Sequence, residues 1–174
     1  MLYLYLQLLF YILFFISVFS FISLAPRVPT RNKDLKRIND IIKLKPWEKF
    51  LEIWCGTAKV SIFIAIQNPK SEILWIELSP FLFLVSYLKV KISKQKNIKI
   101  IYGNALKIDF KDYDILYVFW LPETIKNKLF SKLKNEMKKT ASFVSYCFKM
   151  ENDYFIEEKY KPLKENSIYV YKII

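Results

Sequence analysis

Two carboxylates and a small-residue turn are the residues of this sequence best placed to do chemistry. Glu52 lies in a short apolar run, Phe50 to Ile53, that gives way to the turn Cys55-Gly56-Thr57-Ala58. Glu77 closes a second apolar run, Ile73 to Ile76. Between the runs comes an apolar helical stretch, Lys59 to Gln67, which Asn68-Pro69 ends. Strand, tight turn, helix, strand and acidic residue make a βαβ unit with a carboxylate roughly 20 residues beyond the turn. That layout sets the hydroxyls of a ribose on the acidic side chain. Two charge-assisted hydrogen bonds from a diol to one carboxylate form a fixed anchor. The turn does not read G-x-G-x-x-G.

The elements needed to hold these residues follow from pattern and punctuation. Asn32 or Asp34 is expected to cap a helix running to about Lys43, with Leu35, Ile38, Ile41 and Ile42 as its apolar stripe. Pro80 opens an apolar helix through about Ser93. Ile98 to Tyr102 reads as a third strand, followed by the loop Gly103-Asn104-Ala105. A fourth strand spans Tyr113 to Phe119 and ends at Trp120-Leu121-Pro122. Glu123 to Lys138 is an amphipathic helix with Ile125, Leu129 and Leu133 on one face, and Ala141 to Phe148 is a fifth strand. Tyr154 to Lys159 and Ser167 to Ile173 end the chain in two further strands. The expected fold class is α/β: a mostly parallel sheet covered on both faces, with an antiparallel edge.

The first 25 residues carry no charge, and Gln7 is the one strongly polar side chain among them. An apolar run of that length reads as one N-terminal transmembrane helix. No basic residue precedes it, and the small-residue cleavage point at Ser23-Leu24-Ala25 is obstructed by Pro26, so a retained anchor is expected rather than a signal peptide. Arg27, Arg31, Lys33, Lys36 and Arg37 follow directly, which places the body of the protein in the cytoplasm. The expected organisation is an anchor at 1–25, a linker and helix at 26–46, and one domain at 47–174. Two cysteines without C-x-x-C spacing and no histidine exclude the usual zinc sites, so no metal is expected. The net charge of +12 comes mainly from lysines spread along the chain, with few arginines for bidentate contacts to nucleic acid. A lysine-rich surface lying against anionic lipid is the expectation, and nucleic acid is not an expected partner.

The turn Glu52-Ile53-Trp54-Cys55-Gly56-Thr57-Ala58 resembles the E/D-x-G-x-G-x-G loop of class I S-adenosylmethionine methyltransferases, with Trp54 at the first glycine and Ala58 at the third. In order along the chain come Val28-Pro29-Thr30, Glu52 to Thr57, Ile76-Glu77-Leu78-Ser79-Pro80, Gly103-Asn104 and Val118-Phe119-Trp120-Leu121-Pro122. This set is similar to the membrane-anchored protein-lysine methyltransferases related to the enzyme that modifies ATP synthase subunit c, over about Pro26 to Ile174. The resemblance implies a Rossmann-like sheet, S-adenosylmethionine as cofactor, and methylation of a lysine on a membrane-associated protein substrate. It implies that Glu77 and Leu78 hold the ribose side. Glu52 would orient the loop or meet the methionine ammonium. Trp54, Cys55, Gly56 and Thr57 would surround the methionine end, and Asn104 with Ala105 the adenine edge. Trp120, Leu121 and Pro122 would edge the acceptor channel, with no catalytic residue assigned. No Asp/Asn-Pro-Pro-Tyr/Phe motif follows strand four, which argues against methylation of DNA base amino groups. An RNA or small-molecule methyltransferase on the same fold is the alternative.

All four tryptophans, Trp47, Trp54, Trp75 and Trp120, stand where the resembled family has glycine, in a chain with only two glycines. Usage near 7% predicts roughly 12 for this length. Glycine serves turns and close ligand approach, and tryptophan is its poorest substitute. Two readings are open. The four are glycines written with a table that reads UGA as tryptophan, or they are genuine tryptophans in a non-catalytic module.

Overall fold

The computed structural model describes residues 2–21, 29–54, 56–161 and 165–174. Cys55, and the stretch 22–28 with Pro26, Arg27 and Val28 of the expected linker, lie outside the described residues. The strands are β1 (Lys49–Ile53), β2 (Glu72–Glu77), β3 (Ile98–Tyr102), β4 (Ile115–Val118), β5 (Ser142–Tyr146), β6 (Phe155–Tyr160) and β7 (Ile168–Ile173). They form one sheet in the order β3-β2-β1-β4-β5-β7-β6. The pairs from β3 through β5 are parallel, and β7 runs antiparallel between β5 and β6. The chain therefore starts in the middle of the sheet, winds outward to β3, and returns to lay β4 on the other side of β1. The order reverses between β1 and β4, and open α/β sheets form a ligand crevice at the carboxyl ends of such a pair.

Period-two alternation sends apolar side chains to both faces, as a sheet buried on two sides requires. Phe50, Ile73, Trp75, Tyr117, Val144 and Tyr146 share one core with α2 (Asn32–Ile42) and α3 (Lys59–Gln67). Leu51, Ile53, Ile76, Leu116, Val118 and Phe143 share the other with Ile125, Leu129 and Leu133. These three residues lie on one continuous helical run made of α5 (Pro122–Thr124), a π-helical stretch (Ile125–Leu129) and α6 (Phe130–Glu136). All three are fully buried. The π turn is the one departure from the expected single α-helix; it adds a residue to the turn while holding the stripe on the sheet. The helix α4 (Pro80–Ser93) is opened as expected by Pro80, with Ser79 as its cap.

Two expectations are corrected. The cap of α2 is Arg31, without a side-chain bond, rather than Asn32 or Asp34. Asp34 sits buried in the first turn, where it accepts hydrogen bonds from Arg31 (2.8 Å) and Tyr146 (2.5 Å) and faces Arg37 at 3.5 Å. The second correction concerns the N-terminal helix. α1 spans Leu2–Phe21, but among the described residues no helix is long and apolar enough to cross a membrane, so the expected transmembrane anchor is overturned. The described side chains of α1 are 3–12 and Phe14. Tyr3, Tyr5, Gln7 and Tyr11 put polar atoms among them, and the Gln7 amide donates to the Tyr3 hydroxyl at 3.3 Å.

Candidate functional site

The carboxyl end of β1 leads into the loop that the sequence marked for chemistry. Its backbone is left-handed at three of the described positions: φ is 42° at Trp54, 74° at Gly56 and 54° at Ala58. Such dihedrals favour glycine, and Gly56 takes its own without strain. Ala58 is the N-cap of α3, with no side-chain bond. Behind the loop, the fully buried Glu52 carboxylate accepts the Ser61 amide at 2.9 Å and the Ser61 hydroxyl. Glu52 thus ties the end of β1 to the first turn of α3 and fixes the span of the loop between them.

Glu77, at the end of β2, faces the same loop. Its Oε2 accepts the Gly56 amide at 3.2 Å and its Oε1 accepts the Ser79 amide at 2.8 Å. Burial pushes the Glu77 carboxyl above its usual range, against the pull of the Ser79, Gly56 and Leu78 amides. The Gly56 carbonyl in turn accepts the Ser86 hydroxyl of α4 at 2.8 Å. The Gly103 amide donates to the Glu77 carbonyl at 2.9 Å, which brings the loop after β3 to the same place. There the Asn104 side-chain oxygen accepts the Leu106 amide at 2.9 Å, and Ala105 is buried.

The structure therefore brings Gly56, Glu77 and the 103–105 loop together. Glu52 is turned toward Ser61, Leu78 is exposed and Thr57 is half-buried beside Gly56. Trp120 is fully buried, whereas Leu121 and Pro122 lie exposed at the end of β4. Ser61 and Ser86 are not among the residues the sequence marks, and Ser79 enters there only as part of the Ile76-Glu77-Leu78-Ser79-Pro80 motif. Ser86 had a visible signal, as the one hydroxyl in the apolar run Phe81 to Leu88 other than a tyrosine's.

At the crevice between β1 and β4, two indoles meet. Trp54 and Trp120 stack with ring centroids 4.5 Å apart and planes at 29°. Trp120 Nε1 donates to the Trp54 carbonyl at 3.3 Å, while Trp54 Nε1 is buried without a partner among the described residues. Both belong to the apolar cluster that includes Ala105, Ile125 and Met150. A wider cleft of about 490 Å³ opens toward the other end of the sheet, lined by Lys49, Glu72, Lys96, Asn97 and Tyr113.

Comparison with known proteins places this geometry. The family model described as the ANTKMT methyltransferase domain matches residues 52–154. A demethylmenaquinone methyltransferase from Geobacillus sp. is 33% identical over 100 residues, covering 57% of this chain and 41% of that protein. A probable ribosomal RNA small subunit methyltransferase A from Methanosarcina acetivorans is 35% identical over 99 residues, covering 57% of this chain and 35% of that protein. The chain thus spans less than half the length of these curated relatives. An RNA methyltransferase from Salinibacter ruber, solved with S-adenosyl-L-homocysteine, superposes with a TM-score of 0.73 at 18% identity, covering 84% of this chain and 94% of that one.

The cofactor is S-adenosylmethionine. The polar residues fit it: Glu77 is buried beside a free-turning glycine loop, with the Asn104 loop adjoining. The apolar part does not fit. The stacked indoles fill the crevice at the β1 and β4 ends, where the ligand of such a sheet lies.

Proposed function

The chain belongs to the ANTKMT methyltransferase domain family, and on that premise we propose that it methylates the ε-amine of a lysine in a protein substrate. The observation that carries the reading is the aromatic wall beyond β4. Phe119 meets Tyr146 edge-on at 4.9 Å and stacks on Phe148 at 5.9 Å, next to the exposed Leu121-Pro122 corner. A lysine acceptor has a reference pKa of about 10.4 and must lose its proton before it can act as a nucleophile. Apolar aromatic walls disfavour the ammonium form and so favour that loss. Methyl transfer asks chiefly for alignment, and rigid strand ends and a short helix start are suited to supply it.

RNA is the second reading, favoured by the net charge of +12 and by the RNA-directed names among the similar proteins. The dispersed lysines and few arginines weigh against it. The two separate cleanly in one experiment. The chain and its Trp54→Gly/Trp120→Gly form are each incubated with methyl-labelled S-adenosylmethionine and either cell protein or total RNA. Label recovered as methyl-lysine after acid hydrolysis is the expected result. Label confined to RNA would overturn the lysine reading.

A further inference from the structure

We propose that glycine, not tryptophan, stands at positions 47, 54, 75 and 120 of the working protein, and that glycine at 54 and 120 opens the cofactor crevice. The inference rests on the cofactor assignment and addresses why the crevice is filled. Three of the four tryptophans violate one or both of two physical expectations. Trp47 and Trp54 hold left-handed backbone, at φ 72° and 42°, a conformation that costs a residue with a Cβ about 1–2 kcal/mol and glycine nothing. Trp47 gains nothing back by burial, because its side chain is 78% exposed.

Trp54 and Trp75 each bury an indole N–H with no acceptor among the described residues. Buried tryptophans ordinarily find one, and an unmade bond costs about 1–3 kcal/mol. Trp75 does so in β2, flanked in register by Glu52 and Ile100. Trp120 is satisfied only by the carbonyl of Trp54, its stacking partner. The stack contributes about 0.5–1.5 kcal/mol beyond burial, which lets the fold tolerate the pair without giving the pair a purpose.

The placement of the pair decides the matter. Strand order reverses between β1 and β4, and the residues that close the resulting crevice are the first after β1 and the second after β4. Around them the polar half of a nucleoside site stands complete in Gly56, Glu77 and the 103–105 loop. One codon accounts for all four positions at once: UGA, which different genetic codes assign to tryptophan and to glycine.

The first test is the coding DNA. UGA at all four positions is expected, and UGG at any of them overturns the proposal. The second is the mass spectrum of peptides spanning residues 54 and 120 from the protein of its own cells. Glycine is expected at both; tryptophan at either overturns it. The third is calorimetric titration of S-adenosylmethionine into the chain and into its Trp54→Gly/Trp120→Gly form. The indoles occupy the space the ligand needs, so the glycine form should bind at least ~10-fold more tightly. Equal or tighter binding by the tryptophan chain overturns the proposal. A glycine form that fails to fold leaves the codons and the peptide masses to decide. Lysine methylation is read separately, so binding without methyl-lysine would sink the substrate reading and leave this one standing.

Discussion

Glu77 is pulled two ways by its position. Burial favours its protonated form, while a ribose diol is held best by the ionised carboxylate. Its folded pKa lies above the unfolded value, so the folded protein holds a proton that the unfolded chain has already released. Stability therefore falls as pH rises from the unfolded value through the folded one, and cofactor affinity rises across the same window. Glu77→Gln should flatten the acid-range slope of thermal stability, measured by melts across the acid range, while lowering the melting point at every pH because the amide can accept from only one of Gly56 and Ser79. In the glycine-bearing form the same change should weaken S-adenosylmethionine binding by about 1.5–3 kcal/mol, or roughly 10- to 150-fold, by calorimetry. Ser61 presents the opposite case, with no conflict between folding and binding. Ser61→Ala strips the hydroxyl from the buried Glu52 carboxylate and should cost about 1–3 kcal/mol in urea unfolding. An unchanged midpoint would leave the Ser61 amide as the tie between β1 and α3 and remove the hydroxyl from it.

Among the elements, α2 is held to the sheet by charge as well as by its apolar stripe. Asp34 joins Arg31 and Arg37 to Tyr146 at the end of β5, and the Tyr146 hydroxyl accepts from Asn166 at 2.8 Å. Burial pushes the Asp34 carboxyl up, but the Tyr146 and Arg31 hydrogen bonds and the two guanidinium charges together hold it below its usual range. This stability is present above the unfolded carboxylate value and is lost as pH falls through the lower folded one. Asp34→Asn should cost about 1–3 kcal/mol at neutral pH. That is less than the 3–5 of a fully buried pair, because the Arg31 side chain is 38% exposed. The difference should shrink in acid, which denaturant curves at two pH values would reveal. The elements themselves were largely legible in the sequence. Alternating apolar runs, Asn68-Pro69 and Pro80 fixed β1 through α4 within a residue or two, because strand burial and proline geometry act locally. The cap of α2 was not legible, because Asp34 answers to Tyr146, 112 residues away. Nor was the π turn, since the stripe Ile125, Leu129, Leu133 has the same spacing in either helix. In the site, Glu77 and Gly56 could be paired from spacing, whereas the Trp54–Trp120 stack depends on β4 lying beside β1.

For the molecule as a whole, dispersed positive charge predicts attraction without discrimination. Retention of total RNA by the protein should fall steeply between about 50 and 200 mM salt, as counterion-driven binding does, and should show no preferred sequence. RNA binding that survives the higher salt would restore nucleic acid as a partner.

The place of β7 between β5 and β6 has a consequence for synthesis on the ribosome. Five strands can pair in parallel as they emerge, but β5 keeps a bare edge until Ile168–Ile173 has cleared the exit tunnel. At about 5–20 residues per second, the 27 residues from Tyr146 to Ile173 leave that edge open for roughly one to five seconds. The exposed row is Ser-Phe-Val-Ser-Tyr, apolar enough to template pairing between neighbouring nascent chains. Chains truncated at Lys161 and released from the ribosome should therefore appear in the pellet, or on a holdase chaperone, while chains that run through Ile173 remain dispersed.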